Sequence, residues 1–272
     1  MSLKAMYNEI ANQYEMADRF GSISDSHRVA IAQIKEEFLG LRQGYKVLDF
    51  GVGNGAFLEK LRQLMPGASF TGIDISSEML ARAQRTLPLT AIEASASEAS
   101  HYLPHHSQDL VLAHFINAYV PIHTLFNEAD LLTRANGHFS LITTTYESFP
   151  VAQQHLANFI AKGSLISRVV GHYYKAAVKN TTVASGLDEL MNVMKQHQFT
   201  VIQHQRLRIP ITLHNIDELA LFGIEGTWFL NSISIRMLPK KFLIERLKRL
   251  FSKIFTFPYR DTHIIDVVLA KK

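Results

Sequence analysis

The sequence contains no cysteine. That removes disulfides, thiolate metal sites and cysteine nucleophiles together, and it fits a reducing compartment. Long apolar runs are missing too: none reaches the roughly 18 residues of a membrane span. The opening "MSLKAMYNEIANQYEMADRF" is too polar for a signal peptide, so a cytoplasmic location is expected. Excess charge of one sign is confined to one place. The 272 residues carry a net charge of +4, but six bases and a single acid fall between Pro239 and Phe255, leaving the rest nearly neutral. A general nucleic-acid-binding surface is therefore not indicated. Repeats and low-complexity linkers are also lacking. What is there is a globular composition, 47% hydrophobic and 19% charged, enough for a substantial core.

From residue 45 onward strand and helix patterns alternate. "YKVLDF" (45–50), "SFTGIDI" (69–75), "TAIEAS" (90–95), "DLVLAHF" (109–115) and "HFSLITT" (138–144) read as strands. "GAFLEKLRQLM" (55–65) and "SSEMLARAQRTL" (76–87) read as helices, the second with serine at its start and an acid in its first turn. Another helix ends near Gly137. Such alternation implies parallel strands with helices on both faces. After residue 145 the rhythm breaks, and 151–178 is helical outside the alternating unit. A helix over 185–198 and strands over 199–211 and 263–272 follow. The expectation is one α/β domain over 1–272 with a seven-stranded, mostly parallel sheet. Helical insertions at 146–184 and 212–261 would cap the sheet edge where open α/β folds bind ligands.

The stretch "KVLDFGVGNGAF" (46–57) ends a strand in an acid and then places three glycines in five positions. Gly51, Gly53 and Gly55 can take positive φ and let the backbone approach a ligand. The helix after them offers its N-terminal amides. "GVGNGA" satisfies the dinucleotide pattern G-x-G-x-x-G/A. Asp49 argues against that ligand, because its charge would face a pyrophosphate. It would hold a cation instead. S-adenosylmethionine has an ammonium and a sulfonium, no phosphate, and a carboxylate suited to a helix N-terminus. Asp74, ending the next strand in "TGIDIS", can accept two ribose hydroxyls from either kind of cofactor.

"VLDFGVGNGAFLEKL" followed by "FTGIDISSEMLARAQ" resembles the first two motifs of class I S-adenosylmethionine-dependent methyltransferases. The likeness is to the small-molecule branch that includes quinone-biosynthesis enzymes. It spans 5–145 and extends to 185–211, while the two insertions match nothing specific. The resemblance implies a Rossmann-like sheet and S-adenosylmethionine as cofactor. It also implies that Asp49, Gly51 and Gly53 hold the methionine end, Asp74 the ribose, and that Ile75 and Met79 flank adenine. Where the family often sets an acid against the adenine amino group, this chain has Ser95 and Ala96. Tyr7 and Tyr14 in "YNEIANQY" resemble the N-terminal segment, 1–28 here, that closes over the cofactor.

A sulfonium is a good leaving group, so methyl transfer needs mainly in-line placement with water excluded. A general base helps when the acceptor is a hydroxyl. Thiolate-type cytosine methylation and radical iron–sulfur chemistry both need cysteine. The segment "AHFINAYVP" differs from the Asn-Pro-Pro-Tyr-like motif of enzymes that methylate planar amino groups. It also lacks the acids of magnesium-dependent catechol-type enzymes, so no metal is expected. It offers His114 as the candidate base, with a packing histidine as the alternative, and Asn117 and Tyr119 as pocket residues. "HYLPHH" (101–106) reads as a solvated loop, since no carboxylate joins it. Over 240–255 the apolar residues share one arc of a helical wheel, Phe242 excepted, and the bases take the other. Such a helix either packs on the cap or contacts a membrane surface; interleaved aromatics for RNA are missing. The expected function is methyl transfer to a small, partly apolar acceptor. Its rivals are an RNA or protein methyltransferase docking through 240–255 and a non-catalytic cofactor- or partner-binding scaffold. The acceptor, the atom methylated and the oligomeric state stay open.

Overall fold

The computed structural model describes residues 18–38, 44–179, 182–225 and 240–272. In chain order they form α1 (Ser22–Phe38), β1 (Lys46–Phe50), α2 (Ala56–Leu64), β2 (Ser69–Asp74), α3 (Ser77–Thr86) and β3 (Thr90–Glu93). A 3-10 turn (Ala96–His101), β4 (Gln108–His114), α4 (Ile122–Leu132) and β5 (Thr133–Thr143) follow. The remainder comprises α5 (Pro150–Ala161), α6 (Leu165–Lys179), α7 (Leu187–Gln196), β6 (Thr200–Leu213), α8 (Ile216–Ala220), α9 (Lys240–Phe251) and β7 (Tyr259–Lys271).

The described strands make one seven-stranded sheet in the order β3-β2-β1-β4-β5-β7-β6. Strands β1 to β5 pair in parallel, and β7 runs antiparallel to both β5 and β6. Both faces are covered, which is why β1 reads as an apolar run rather than an alternation. Val47, Leu110, Leu112 and Val267 pack in one core cluster with α1 and α2. Leu48, Phe50, Val111 and Phe139 pack in the other with α4 and α7. Each such side chain, fully buried, contributes about 1.5–3 kcal/mol. Chain order reverses between β1 and β4, so a crevice opens at the carboxyl ends of those strands.

Two boundaries differ from the sequence reading. Helix α4 ends at Leu132, and Gly137, expected at a helix end, lies inside β5. The register there shifts between Gln108 and Leu110, and a Cβ on Gly137 would stand 2.8 Å from Thr133. An irregular strand start is thus packed where helical spacing had suggested more helix. At the other end β6 reaches Leu213 and β7 begins at Tyr259, so both limits of the 212–261 insertion fall inside or against strands. The physical reason is the buried alternation Ile209, Ile211, Leu213. Asp266 pairs with Thr143 at the end of β5. The seven residues 259–265 and their β6 partners therefore rise about 20 Å past that edge as a two-stranded ribbon.

Helix α5 is fastened to this ribbon. Both carboxylate oxygens of Asp261 accept amides of the first turn of α5, from Val151 at 3.1 Å and Ala152 at 2.8 Å. Near α9, Ile254 is buried, and Phe251 and Phe255 pack against the main core. Leu247 and Leu250 are half-buried while Arg246 and Arg249 are exposed. The described part of the apolar arc, 244–255, therefore faces protein. Residues 22–28 of the expected N-terminal segment belong to α1, which packs on the sheet. Tyr7 and Tyr14 lie outside the described residues. Among the described residues no helix is long and apolar enough to cross a membrane.

Candidate active site

The loop from β1 to α2 turns back on the sheet because its amides find partners there. Gly51 and Val52 both donate to the Ile73 carbonyl, at 2.8 and 3.1 Å. Gly72 permits the approach, since a Cβ there would meet Val52 at 2.8 Å. Gly51 and Gly53 take φ of 70° and 54°, the left-handed region. At Gly51 a Cβ would also stand 2.8 Å from Ile116, so the residue keeps the mouth of the crevice open.

Asp74 ends β2 and closes this loop from below. Its two oxygens accept the amides of Gly53 at 2.9 Å and Ser76 at 2.8 Å. Burial raises its carboxyl above the ordinary range, and those amides, with that of Ile75, work against the rise. Asp49 is only 4% exposed, and among the described residues no hydrogen bond reaches its carboxylate. Burial, and then the charge of Asp74, push it well above the usual carboxylate range. A cation brought beside a buried acid in that condition would favour its charged form.

Gly51, Gly53, Asp74, Ile75 and Met79 line one cleft, of about 690 Å³ with its open mouth included. Ser95 and Ala96 line it from the end of β3, and His114 and Tyr119 from the end of β4. Ser95 caps the 3-10 turn by accepting from the Ser97 amide at 3.3 Å. Among the described residues no lysine or arginine lines the cleft. Asp49 is not among the described lining residues. Asn117 does not line it either: it is 2% exposed, and its side-chain nitrogen has no hydrogen-bond partner. Among the described residues no group of three or more His, Cys, Asp or Glu could hold a metal.

His114 is packed from several sides. Its Nε2 is hydrogen-bonded to Ser140 Oγ at 3.1 Å, while Nδ1 is shielded from solvent and unpartnered. Phe57 meets the ring edge-on at 4.3 Å between centroids, and His27 of α1 lies 5.9 Å away. Burial, then His27, depress its pKa well below the ordinary histidine value. Burial keeps it neutral near pH 7, with Nε2 engaged and Nδ1 enclosed.

Sequence reasoning missed Phe115, Ile116 and Val120, which wall the same cleft. Phe115 holds φ at 57° immediately after β4, a strained value for a bulky residue. The signal was available, since the whole segment "FINAYV" follows a strand that ends at the crevice. His27 gave no signal: it is one histidine in an ordinary helix, brought here by packing alone.

Known proteins share part of this sequence and its fold. Residues 47–137 match a family model described as a methyltransferase domain. The solved structure of the YcgJ protein from Bacillus subtilis superposes over 90% of this chain and 98% of its own, with a TM-score of 0.59 and 15% identity. The fold is that of the class I methyltransferases. An S-adenosylmethionine-dependent methyltransferase from Thermotoga maritima matches over all of both chains at a TM-score of 0.52 and 16% identity. Mycolic acid cyclopropane synthase CmaA1, solved with S-adenosylhomocysteine and CTAB, covers 90% of this chain and 84% of its own, at 0.51 and 17%. A curated relative, demethylmenaquinone methyltransferase of Chlorobaculum tepidum, is 33% identical over 89 residues. That match takes in 32% of this chain, which thus spans about a third (36%) of the relative's length.

Proposed function

We propose that the chain is an S-adenosylmethionine-dependent methyltransferase acting on a small, partly apolar organic acceptor. The observation that carries the reading is a cleft whose described wall holds one acid, Asp74, and no lysine or arginine, with a second acid, Asp49, buried next to it. A dinucleotide pyrophosphate would find no counter-charge among the described residues, whereas an ammonium would restore the charge of Asp49. Asp49 would hold the amino group, Gly51 and Gly53 the backbone of the methionine end, and Asp74 the ribose. Ile75, Met79, Ser95 and Ala96 would enclose the base. When bound, the cofactor supplies an activated methyl group on its sulfonium.

The chain's own part is then placement. His114, Phe115 and Tyr119 wall the far side of the cleft with mostly apolar surface, which favours an apolar acceptor and excludes water. A neutral His114 engaged by Ser140 serves as part of that wall. The matched relative and the cyclopropane synthase act, by their names, on a quinone and on mycolic acid, and both support a lipid-like acceptor. Incubating the protein with methyl-labelled S-adenosylmethionine and a metabolite and lipid extract tests the reading. Label should enter a small organic-soluble product. Cofactor binding without transfer to any fraction would leave a scaffold, and label in RNA or protein would move the acceptor to a macromolecule.

A further inference from the structure

The start of α6, at the tip of the hairpin it makes with α5, is packed inside out. Ser167 is fully buried, and Gly171, one turn on, lies so close to Ile160 of α5 that a Cβ would stand 3.0 Å from its side chain. The small residues of α6 therefore face the protein. Leu165, Ile166 and Val169 face outward, with 80%, 47% and 49% of their surface exposed. Their i, i+3 and i, i+4 spacing puts all three on one face at the tip of the hairpin. With Val151 on α5, the hairpin holds four of the six large apolar side chains that the described residues expose. An ordinary surface helix has the opposite arrangement, because water drives its apolar stripe inward.

Charge accompanies this patch. Residues 150–179 contain Lys162, Arg168, Lys175 and Lys179 and not one Asp or Glu. Lys162, Arg168 and Lys175 are exposed. We propose that the tip of the α5–α6 hairpin docks on an anionic lipid bilayer. Leu165, Ile166 and Val169 enter the boundary between headgroups and acyl chains, and the bases lie against lipid phosphates. A second copy of the chain fits less well, since a two-fold contact would bring like-charged patches together. The outward residues are aliphatic and offer no stacking platform for RNA bases. The described apolar side chains of α9 are half-buried against protein, so the basic segment of highest sequence contrast offers less free apolar surface than this tip. The hairpin leaves β5 at its carboxyl end and is tied there by the hydroxyl–hydroxyl bond of Tyr146 and Tyr174. Docking in this way sets the cleft edge of the sheet on the side of the bilayer.

Flotation with phosphatidylcholine vesicles, with and without phosphatidylglycerol, tests the proposal and needs no turnover. Its failure would leave the methyl-transfer reading intact. The full chain should float with the anionic vesicles at low salt and be released by high salt. Leu165→Ser with Ile166→Ser and Val169→Ser should lower partitioning at least ~10-fold. Lys162→Gln with Arg168→Gln should abolish the preference for anionic lipid. Both sets should keep the parent melting temperature, which separates lost docking from lost folding. Arg249→Gln with Lys253→Gln, on and just after α9, should float like the parent. No flotation at low salt, flotation that survives the apolar triple change, or loss only with the α9 changes would overturn it. So would RNA retention or a dimer abolished by the triple change, if either came without vesicle binding.

Discussion

Burial acts on Asp49 and on the buried histidines in opposite chemical senses, and in each case it favours the neutral form. For Asp49 this makes cofactor binding pH-dependent. A ligand ammonium selects the ionised carboxylate, so affinity should rise with pH through the raised pKa and binding should release protons. Asp49→Asn should weaken S-adenosylmethionine by about 2–3 kcal/mol and remove the proton release. Calorimetry in buffers of different ionisation enthalpy reads both; unchanged affinity would dismiss the cation site. At His114 a true general base would cost roughly 10²–10⁴-fold in turnover when replaced. Because its Nε2 is engaged and its Nδ1 enclosed, His114→Gln should stay within about tenfold of the parent, and a larger loss in single-turnover rate would restore it as the base. His27 bears on stability instead. Its pKa falls to about 3 in the folded chain, so between there and 6.5 the unfolded state binds the extra proton. Its contribution is complete above 6.5 and declines by about 1.4 kcal/mol per pH unit as pH falls towards 3. His114 and His263 act in the same direction, and the raised carboxyls of Asp49 and Asp74 oppose them. Urea unfolding of His27→Phe between about pH 6 and pH 5 should show an acid slope reduced by that amount. An unaltered slope would mean that His27 titrates freely.

Elements at the cleft edge are joined by side chains that reach across long stretches of chain. Asp261 is the clearest case, since it lies on β7 and caps a helix more than a hundred residues earlier. Phe149, at the N-cap position of α5, provides no side-chain cap and itself holds φ at 55°. The first turn of α5 thus depends on the ribbon for its amide partners. Asp261 is buried and also accepts the Tyr259 hydroxyl and the Thr262 amide, so its removal strands four donors. Asp261→Ala should cost about 1–3 kcal/mol by that reasoning. The loss should be uneven, because the sheet keeps its own hydrogen bonds. Hydrogen exchange should speed up in 150–161 while amides of β1 and β4 keep their protection. Uniform acceleration would show that Asp261 supports the whole fold rather than the cap.

Across the whole molecule, what could be read in advance was what is local. Asp49, the glycines and Asp74 fall within one β-α-β unit, where strand ends and turn chemistry fix geometry over about thirty residues. The sheet followed from the same alternation. The β6–β7 ribbon did not, because Leu213 and Tyr259 pair across an intervening segment whose pattern is helical. Nor did the meeting of His27 with Phe57 and His114, which packing alone produces. A helical wheel showed that α9 has one apolar arc but could not say that protein covers it. For α6 the usual inference from such an arc fails outright, since small residues took the inner face. The parts nonetheless form connected cores, and the cleft gathers the carboxyl ends of β1 to β4. A ligand held there should therefore stabilise the chain as a unit. S-adenosylhomocysteine at a hundred times its dissociation constant should add about 2.7 kcal/mol. For a chain of this size that raises the melting midpoint by roughly 5–10 °C. NAD at the same concentration should leave the midpoint in place, and Asp49→Asn should retain only about a quarter of the shift. Calorimetric melting decides the matter. A comparable shift with NAD would return the glycine turn to the dinucleotide reading, and a second transition untouched by ligand would separate the cap from the cleft.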